Sequence, residues 1–353
     1  GFPESHAYSF AYLVYASAWL KAHHPAAFYA GLLAAQPMGF YSTQSLVADA
    51  RRHGIRVLRP CVQRSAAKAT VERLSCGSRK DEGAATDPKP GELAIRSGEL
   101  AGQPDELAVR PGELAGQPGE LAVRLGLDTV RGIGTELAEA IVAERDRSGP
   151  YEGLPDLVRR VELTTAQLEA LATANALASF GITRREGLWA AGVLSQEGPT
   201  TLPGVSVGTV APALPEMSPV EEAVADVWAT GVSPDTYPTQ FVRSSLAAAG
   251  VQTVAETMIT PARRRVACAG VVTHRQRPGT ARGVTFLSLE DETGLLNVVV
   301  SPGVWRRFRQ VARSSAALVI RGMVERGDGA VNLVAEHITP LSLQVPSRSR
   351  DFR

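Results

Sequence analysis

Residues 130–141, VRGIGTELAEAI, place an apolar–x–Gly–apolar–Gly turn directly before a helical run. Gly132 and Gly134 allow the backbone positive φ, which side-chain-bearing residues resist. The turn then leaves consecutive amides at the head of the helix. Those amides and the helix dipole can hold one nucleic-acid phosphate without reading a base. This is a helix-hairpin-helix pattern, with Gly132, Ile133, Gly134 and Thr135 as candidate phosphate-binding residues. The competing reading is an ordinary packed helix pair.

Downstream, "YEGLPDLVRRV" (151–161) and "TTAQLEALATANALASFG" (164–181) continue as helices, the second capped by Thr164 or Thr165 and ended by Gly181. Residues 195–219 are rich in Pro, Gly, Ser and Thr and read as linker. "PVEEAVADVWATGV" (219–232) then starts a helix with Pro219 in its first turn. From Arg265 the period changes to two. "RVACAGVVTHRQ", "GVTFLSLEDETGLLNVVVS" and "AALVIRGMVERGDGAVNLVAEHITPL" are strand-rich, with turns at Glu292–Gly294 and Gly327–Gly329. The helix "GVWRRFRQVAR" (303–313) falls between the third and fourth strands. Five strands with a helix after the third is the order of an OB-fold barrel, whose expected work is to bind single strands by charge and stacking. Arg275, Arg277, Arg282 and Phe286 are the candidates for single-stranded DNA, Phe286 being equally suited to core.

Upstream, residues 1–60 are helical in pattern. Tyr8, Tyr12, Tyr15 and Trp19 recur along one helix face, Pro25 restarts a second helix, and Ser42 caps a third that Gly54 stops. The chain opens inside what reads as a helix of a larger domain. Residues 91–125 are five copies of one heptad: GELAIRS, GELAGQP, DELAVRP, GELAGQP and GELAVRL. A coiled coil is excluded, because each copy has one reliable apolar anchor and Pro104, Pro111 and Pro118 interrupt the array. The expectation is a tandem-duplicated, flexible insertion.

The net charge of +1 over 353 residues hides local bias. Residues 51–80 hold nine Lys or Arg against a single acid, Glu72, and a second basic run joins Arg263, Arg264 and Arg265 to Arg275, Arg277 and Arg282. Such runs suit a polyanion, or are simply solvated surface. Three dispersed cysteines without a CxxC pair fit a reducing cytoplasm, and there is no signal peptide or membrane-length apolar run. "GVSVG" (204–208) matches a hydrolase nucleophile pattern without its strand and helix, and "RGD" (326–328) is hairpin-turn chemistry. No Asp–x–Asp occurs, and no set of carboxylates suggests a pair of catalytic metal ions.

"GFPESHAYSFAYLVYASAWLKAHHPAAFYAGLLAAQPMGFYS", followed by "LVADARRHGIRV", resembles the fingers region of bacterial C-family DNA polymerases, in wording the error-prone branch. The order that follows, with "WATGVSPDTYPTQF" and the ending "SRSRDFR", is similar too. The resemblance covers nearly all of the chain except the heptads. "RPCVQRS" departs from it at Cys61, and the heptad insertion is foreign to it. A gene fragment, a split gene or a decaying copy is therefore expected. The resemblance implies a multidomain chain, α then β: a C-terminal part of the fingers (1–80), the insertion (81–126), a helix-hairpin-helix domain (127–194), a linker with short helices (195–260), an OB-fold domain (261–345) and a tail (346–353). By position it puts Ser5, His6, Tyr12 and Lys21 near nucleotide and template. It implies an Mg²⁺-dependent nucleotidyltransferase when complete, acting in translesion synthesis with the missing N-terminal polymerase part, mutasome accessory subunits and the sliding clamp. This chain alone is expected to bind duplex and single-stranded DNA and to be catalytically inactive. The alternative is a stand-alone, non-catalytic DNA-binding or scaffold module.

Overall fold

The structure, a computed structural model, describes residues 4–39, 41–74, 121–194, 211–327, 329–346 and 350–352. The first four heptads, the GVSVG stretch and Asp328 lie outside the described residues.

The chain begins with α1 (Glu4–His23), α2 (Pro25–Ala34) and α3 (Thr43–Arg52). Ser42 caps α3 by accepting from the Ser45 amide, and Gly54 takes φ 76° just beyond it, as its sequence signals require. Three short strands follow: β1 (Arg56–Leu58), β2 (Thr70–Arg73) and β3 (Leu121–Arg124). β3 lies in the middle, parallel to β1 and antiparallel to β2, with Val57 and Val71 both opposite Val123. The fifth heptad, counted above as insertion, is thus partly core. Its LAVRL alternation supplies Val123 and Leu125, which pack fully buried with Tyr29, Leu33 and Val57. Repetition in sequence concealed a strand whose partners are remote.

The second helical layer comprises α4 (Thr135–Ser148), α5 (Leu154–Arg160), α6 (Thr165–Thr173), α7 (Arg184–Leu194) and α8 (Pro219–Thr230). Leu127, Ile133, Ile141, Leu157, Leu168, Leu171 and Leu194 form its core. The segment 164–181, expected as one helix, breaks at Asn175 (φ 60°) and resumes as a 3-10 turn that Gly181 terminates. Two short helices, α9 (Arg243–Ala248) and α10 (Val254–Ile259), lead into the barrel.

The barrel contains β4 (Arg265–Gln276), β5 (Thr285–Asp291), β6 (Gly294–Val300), α11 (Pro302–Ser314), β7 (Ala317–Gly327) and β8 (Ala330–Pro340), with β9 (Arg350–Phe352) added beside β4. The sheet order β5-β6-β8-β7-β4 closes through β4–β5 pairing, and β6 runs parallel to β8. This is the expected OB-fold order. Gly322 sits at a close approach of β7 and β8, where a Cβ would meet the Val334 carbonyl. Among the described residues, no helix is long and apolar enough to cross a membrane.

Candidate nucleic-acid interface

Ile133, 2% exposed, anchors the hairpin in the helical core while its neighbours Arg131, Gly132, Gly134 and Thr135 stay exposed. Only Gly132 has positive φ, 77°; Gly134 is extended (φ −72°, ψ 169°) and is the N-cap of α4. The two glycines therefore differ in role. Gly132 makes the turn, and Gly134 presents the helix end without a side chain to cap it. Among the described residues a Cβ on either would meet nothing within 4 Å, so the space before these amides is open. The Arg131 amide donates to the Ala229 carbonyl (2.7 Å), and its guanidinium lies 4.8 Å from the Trp228 ring centroid. Arg131 thereby adds a positive charge beside the hairpin. Sequence reading missed it, although it sits directly before the turn.

A second helix–turn–helix, α6 to α7, is built differently. The Glu186 amide donates to Thr183 Oγ1 (3.3 Å), and the Glu186 carboxylate accepts from the Thr183 amide (2.6 Å). This helix end is already satisfied by its own capping box, and the same backbone bond holds the Glu186 carboxyl below its usual range.

Ser5, His6, Tyr12 and Lys21 all lie on α1 and do not converge. His6 and Lys21 are 15 residues apart, about 22 Å along a helix, and Tyr12 and Lys21 fall on opposite faces. Lys21 Nζ donates to Asp49 (2.8 Å), which also accepts from the Tyr29 hydroxyl (2.6 Å). Burial, reinforced by Asp49, raises the Tyr29 pKa. Lys21 therefore joins α1 to α3 by an ion pair. Among the described residues most of the aromatic stripe is uncovered: Tyr8, Tyr12 and Tyr15 are 69–79% exposed, and Phe10, Leu13 and Val14 on other faces are exposed too.

On the barrel, Phe286 is 38% exposed on β5, opposite Gln276 and Val299, and Arg277 and Arg282 are exposed in the β4–β5 loop. Arg275 differs. It is 7% exposed, and its Nε donates to the Ala312 carbonyl (2.7 Å) at the end of α11, with a second bond to Ser315 O. A register shift between Val272 and His274 inverts the strand alternation and turns Arg275 inward. It is a helix-end partner, not a strand-face arginine.

Two arginines of the basic run at 51–80, Arg52 and Arg59, are neutralised from far along the chain. Arg52 donates twice to Glu290 (3.0 Å each), and Arg59 is paired with Asp226 (2.8 Å) and Asp235 (2.5 Å). Arg64 faces Glu72 at 3.6 Å. For these arginines the polyanion expectation gives way to domain joints. Among the described residues no three His, Cys, Asp or Glu side chains gather as a cation site. The acidic run at the β5–β6 turn is engaged by arginines, Glu290 by Arg52 and Asp291 and Glu292 by Arg243. These carboxylates do not fit a pair of catalytic divalent ions.

An uncapped hairpin helix and a closed five-stranded barrel with exposed loop arginines define a nucleic-acid-binding chain. Family models agree: a helix-hairpin-helix motif matches residues 54–187, and an OB-fold nucleic acid binding domain matches 266–341. Over its whole length the chain is similar to error-prone DNA polymerases, matching their C-terminal part. It is 52% identical to the error-prone DNA polymerase of Mycobacterium bovis, 50% to that of Nocardia farcinica and 48% to that of Cutibacterium acnes. All of this chain is covered in each case, but it spans only 28%, 28% and 31% of those relatives' lengths. Among solved structures, asparaginyl-tRNA synthetase from Pyrococcus horikoshii is 21% identical with TM-score 0.22, over 28% of this chain and 23% of that one.

Proposed function

We propose that this chain is the DNA-holding portion of an error-prone DNA polymerase, gripping duplex through the hairpin and single-stranded template through the barrel. The carrying observation is the open, side-chain-free end of α4 at Gly134, positioned by buried Ile133. Gly132, Ile133, Gly134 and Thr135 would hold one backbone phosphate through amides and a hydroxyl. Arg277, Arg282 and Phe286 would meet single-stranded template. Ser5, His6, Tyr12 and Lys21 would face nucleotide and template only in company with the remainder of the polymerase, which would also supply the Mg²⁺-binding carboxylates. The uncovered apolar faces of α1 suit packing against that remainder, whose length exceeds this chain's in the relatives. Translesion synthesis in the cytoplasm, with mutasome subunits and the sliding clamp, belongs to the same reading.

Two measurements test it. Purified chain with primed template, nucleotides and Mg²⁺ should give no extension above buffer, while addition of a separately expressed palm-containing part should restore it; extension by this chain alone would overturn the division of labour. Gly134→Val keeps an allowed φ and adds bulk only toward open space, so the fold should hold. Loss of one phosphate contact should weaken duplex binding about tenfold, the effect of losing a hydrogen bond to a charged group. The loss should be equal across sequences, because a phosphate carries no base information. Unchanged affinity would remove the hairpin from the interface.

A further inference from the structure

α11 carries a feature that the proposed strand face does not use. Val304, Trp305, Phe308, Val311 and Ala312 pack into the barrel core, which leaves Arg306, Arg307, Arg309 and Arg313 exposed on the outer side. α11 has no acidic residue, and none of the four arginines has an ion-pair partner among the described residues. The one carboxylate on neighbouring β8, Glu336, is held by Arg265 at 3.0 Å. The exposed face is otherwise Pro302, Gly303, Gln310 and Ser314. It lacks the aromatic or aliphatic anchor on which protein partners depend. Guanidinium forks without apolar anchors suit phosphates.

The arginine face is continuous with the loop already assigned to template. A Cβ at Gly283 would lie 3.6 Å from Pro302 at the head of α11 and 3.7 Å from the Arg277 guanidinium. Arg277 and the first turn of the helix thus both border Gly283. From there Arg306 to Arg313 runs at most about 10 Å, across a break in α11 at Phe308 (φ −111°, ψ 15°), the reach of a few consecutive backbone phosphates.

We infer that α11 is a second DNA-binding surface, an arginine track that takes the single strand from the Arg277–Arg282 loop and holds its backbone along the outside of the barrel. The inference rests on the barrel's binding single-stranded DNA, and its test separates the two. The full chain and an Arg306→Gln/Arg309→Gln/Arg313→Gln variant are titrated with oligo-dT of about 10 and about 30 nucleotides over a salt series. The shorter oligonucleotide can occupy the strand face alone. For the longer one, the slope of log K against log salt should fall by about 2, since each lost phosphate contact on a single strand removes about 0.7. Affinity near 0.1 M salt should drop about tenfold, while the shorter oligonucleotide should bind within twofold of the parent, with the thermal midpoint unchanged. An unaltered slope for the long oligonucleotide, or equal loss at both lengths, would overturn the track. Parent protein that binds neither length would overturn the barrel's single-strand role and the track with it. Poly-glutamate competing as well as DNA at matched charge would assign the face to an acidic polypeptide instead.

Discussion

Asp226→Ala lowers folding stability by about 3–5 kcal/mol, the cost of leaving a buried ion network without its carboxylate. Asp226 lies on α8, 2% exposed, and accepts from Arg59 Nε (3.0 Å), an Arg59 terminal nitrogen (2.8 Å), Arg184 (2.6 Å) and the Ser233 hydroxyl (3.1 Å). Arg184 is itself buried and also donates to the Thr173 and Glu222 carbonyls. One carboxylate thus neutralises two guanidiniums from different layers, Arg59 just beyond β1 and Arg184 at the head of α7. Burial alone would pull the Arg59 pKa down, yet the bonds to Asp226 and Asp235 hold it above its ordinary value. Without Asp226, Arg59 keeps only exposed Asp235, and Arg184 keeps only carbonyls. Urea unfolding followed by fluorescence of Trp228, two residues along α8, measures the loss. Asp226→Asn, which retains volume and one acceptor, should fall between parent and alanine variant. An alanine variant within about 1 kcal/mol of the parent, the level of an exposed pair, would show that the network contributes little.

What could be read from sequence is what local backbone chemistry dictates. The hairpin is recognisable because glycine spacing and a following helix are contiguous. The barrel is recognisable because alternation and turn residues recur at short range. The helix α3 carries its start and stop signals, Ser42 and Gly54, within a dozen residues of each other. What escaped is non-local. β3 hid in a repeat copy because its partners, β1 and β2, lie before the insertion. Arg275 should have faced outward by alternation, and one extra residue in the strand turned it in. Arg59 and Arg52 looked like part of a polyanion patch because their acids come 167 and 238 residues later, at Asp226 and Glu290. The arginines of α11 were in plain sight, and that helix was read only as the element between two strands. Charge runs in sequence therefore say little until their distant partners are placed. By that criterion the Arg52 and Arg59 region is joint, and the α11 arginines remain as surface.

The joint between helices and barrel gives the second large effect. Glu290, on β5 and fully buried, accepts from two Arg52 nitrogens (3.0 Å each) and from Ser45 (3.1 Å), both on α3. Glu290→Ala removes these bonds, opens a cavity and leaves Arg52 with Asp49 at 3.6 Å, so a loss of about 3 kcal/mol is expected, as for other broken buried pairs. Glu290→Gln separates charge from packing. Burial raises the Glu290 carboxyl pKa, and Arg52 and Ser45 offset this only in part. A folded-state pKa above the unfolded value means that this group's stabilisation is complete below the ordinary glutamate range near 4.5 and is lost as pH rises through the folded value. The glutamine variant does not titrate there. Relative to it, the parent should therefore lose stability as pH climbs from about 4.5, while the alanine variant stays the least stable throughout. Neighbouring Glu292 shifts the other way: although burial pushes it up, Arg243 and Thr239 hold it low, so its contribution fades only in acid. Chemical denaturation of parent, glutamine and alanine proteins across pH 4–8 separates the two groups. If the parent instead gains on the glutamine variant as pH rises, the Arg52 pairing outweighs the burial of Glu290, and the barrel is held to the helices by charge and not by packing around a half-satisfied acid.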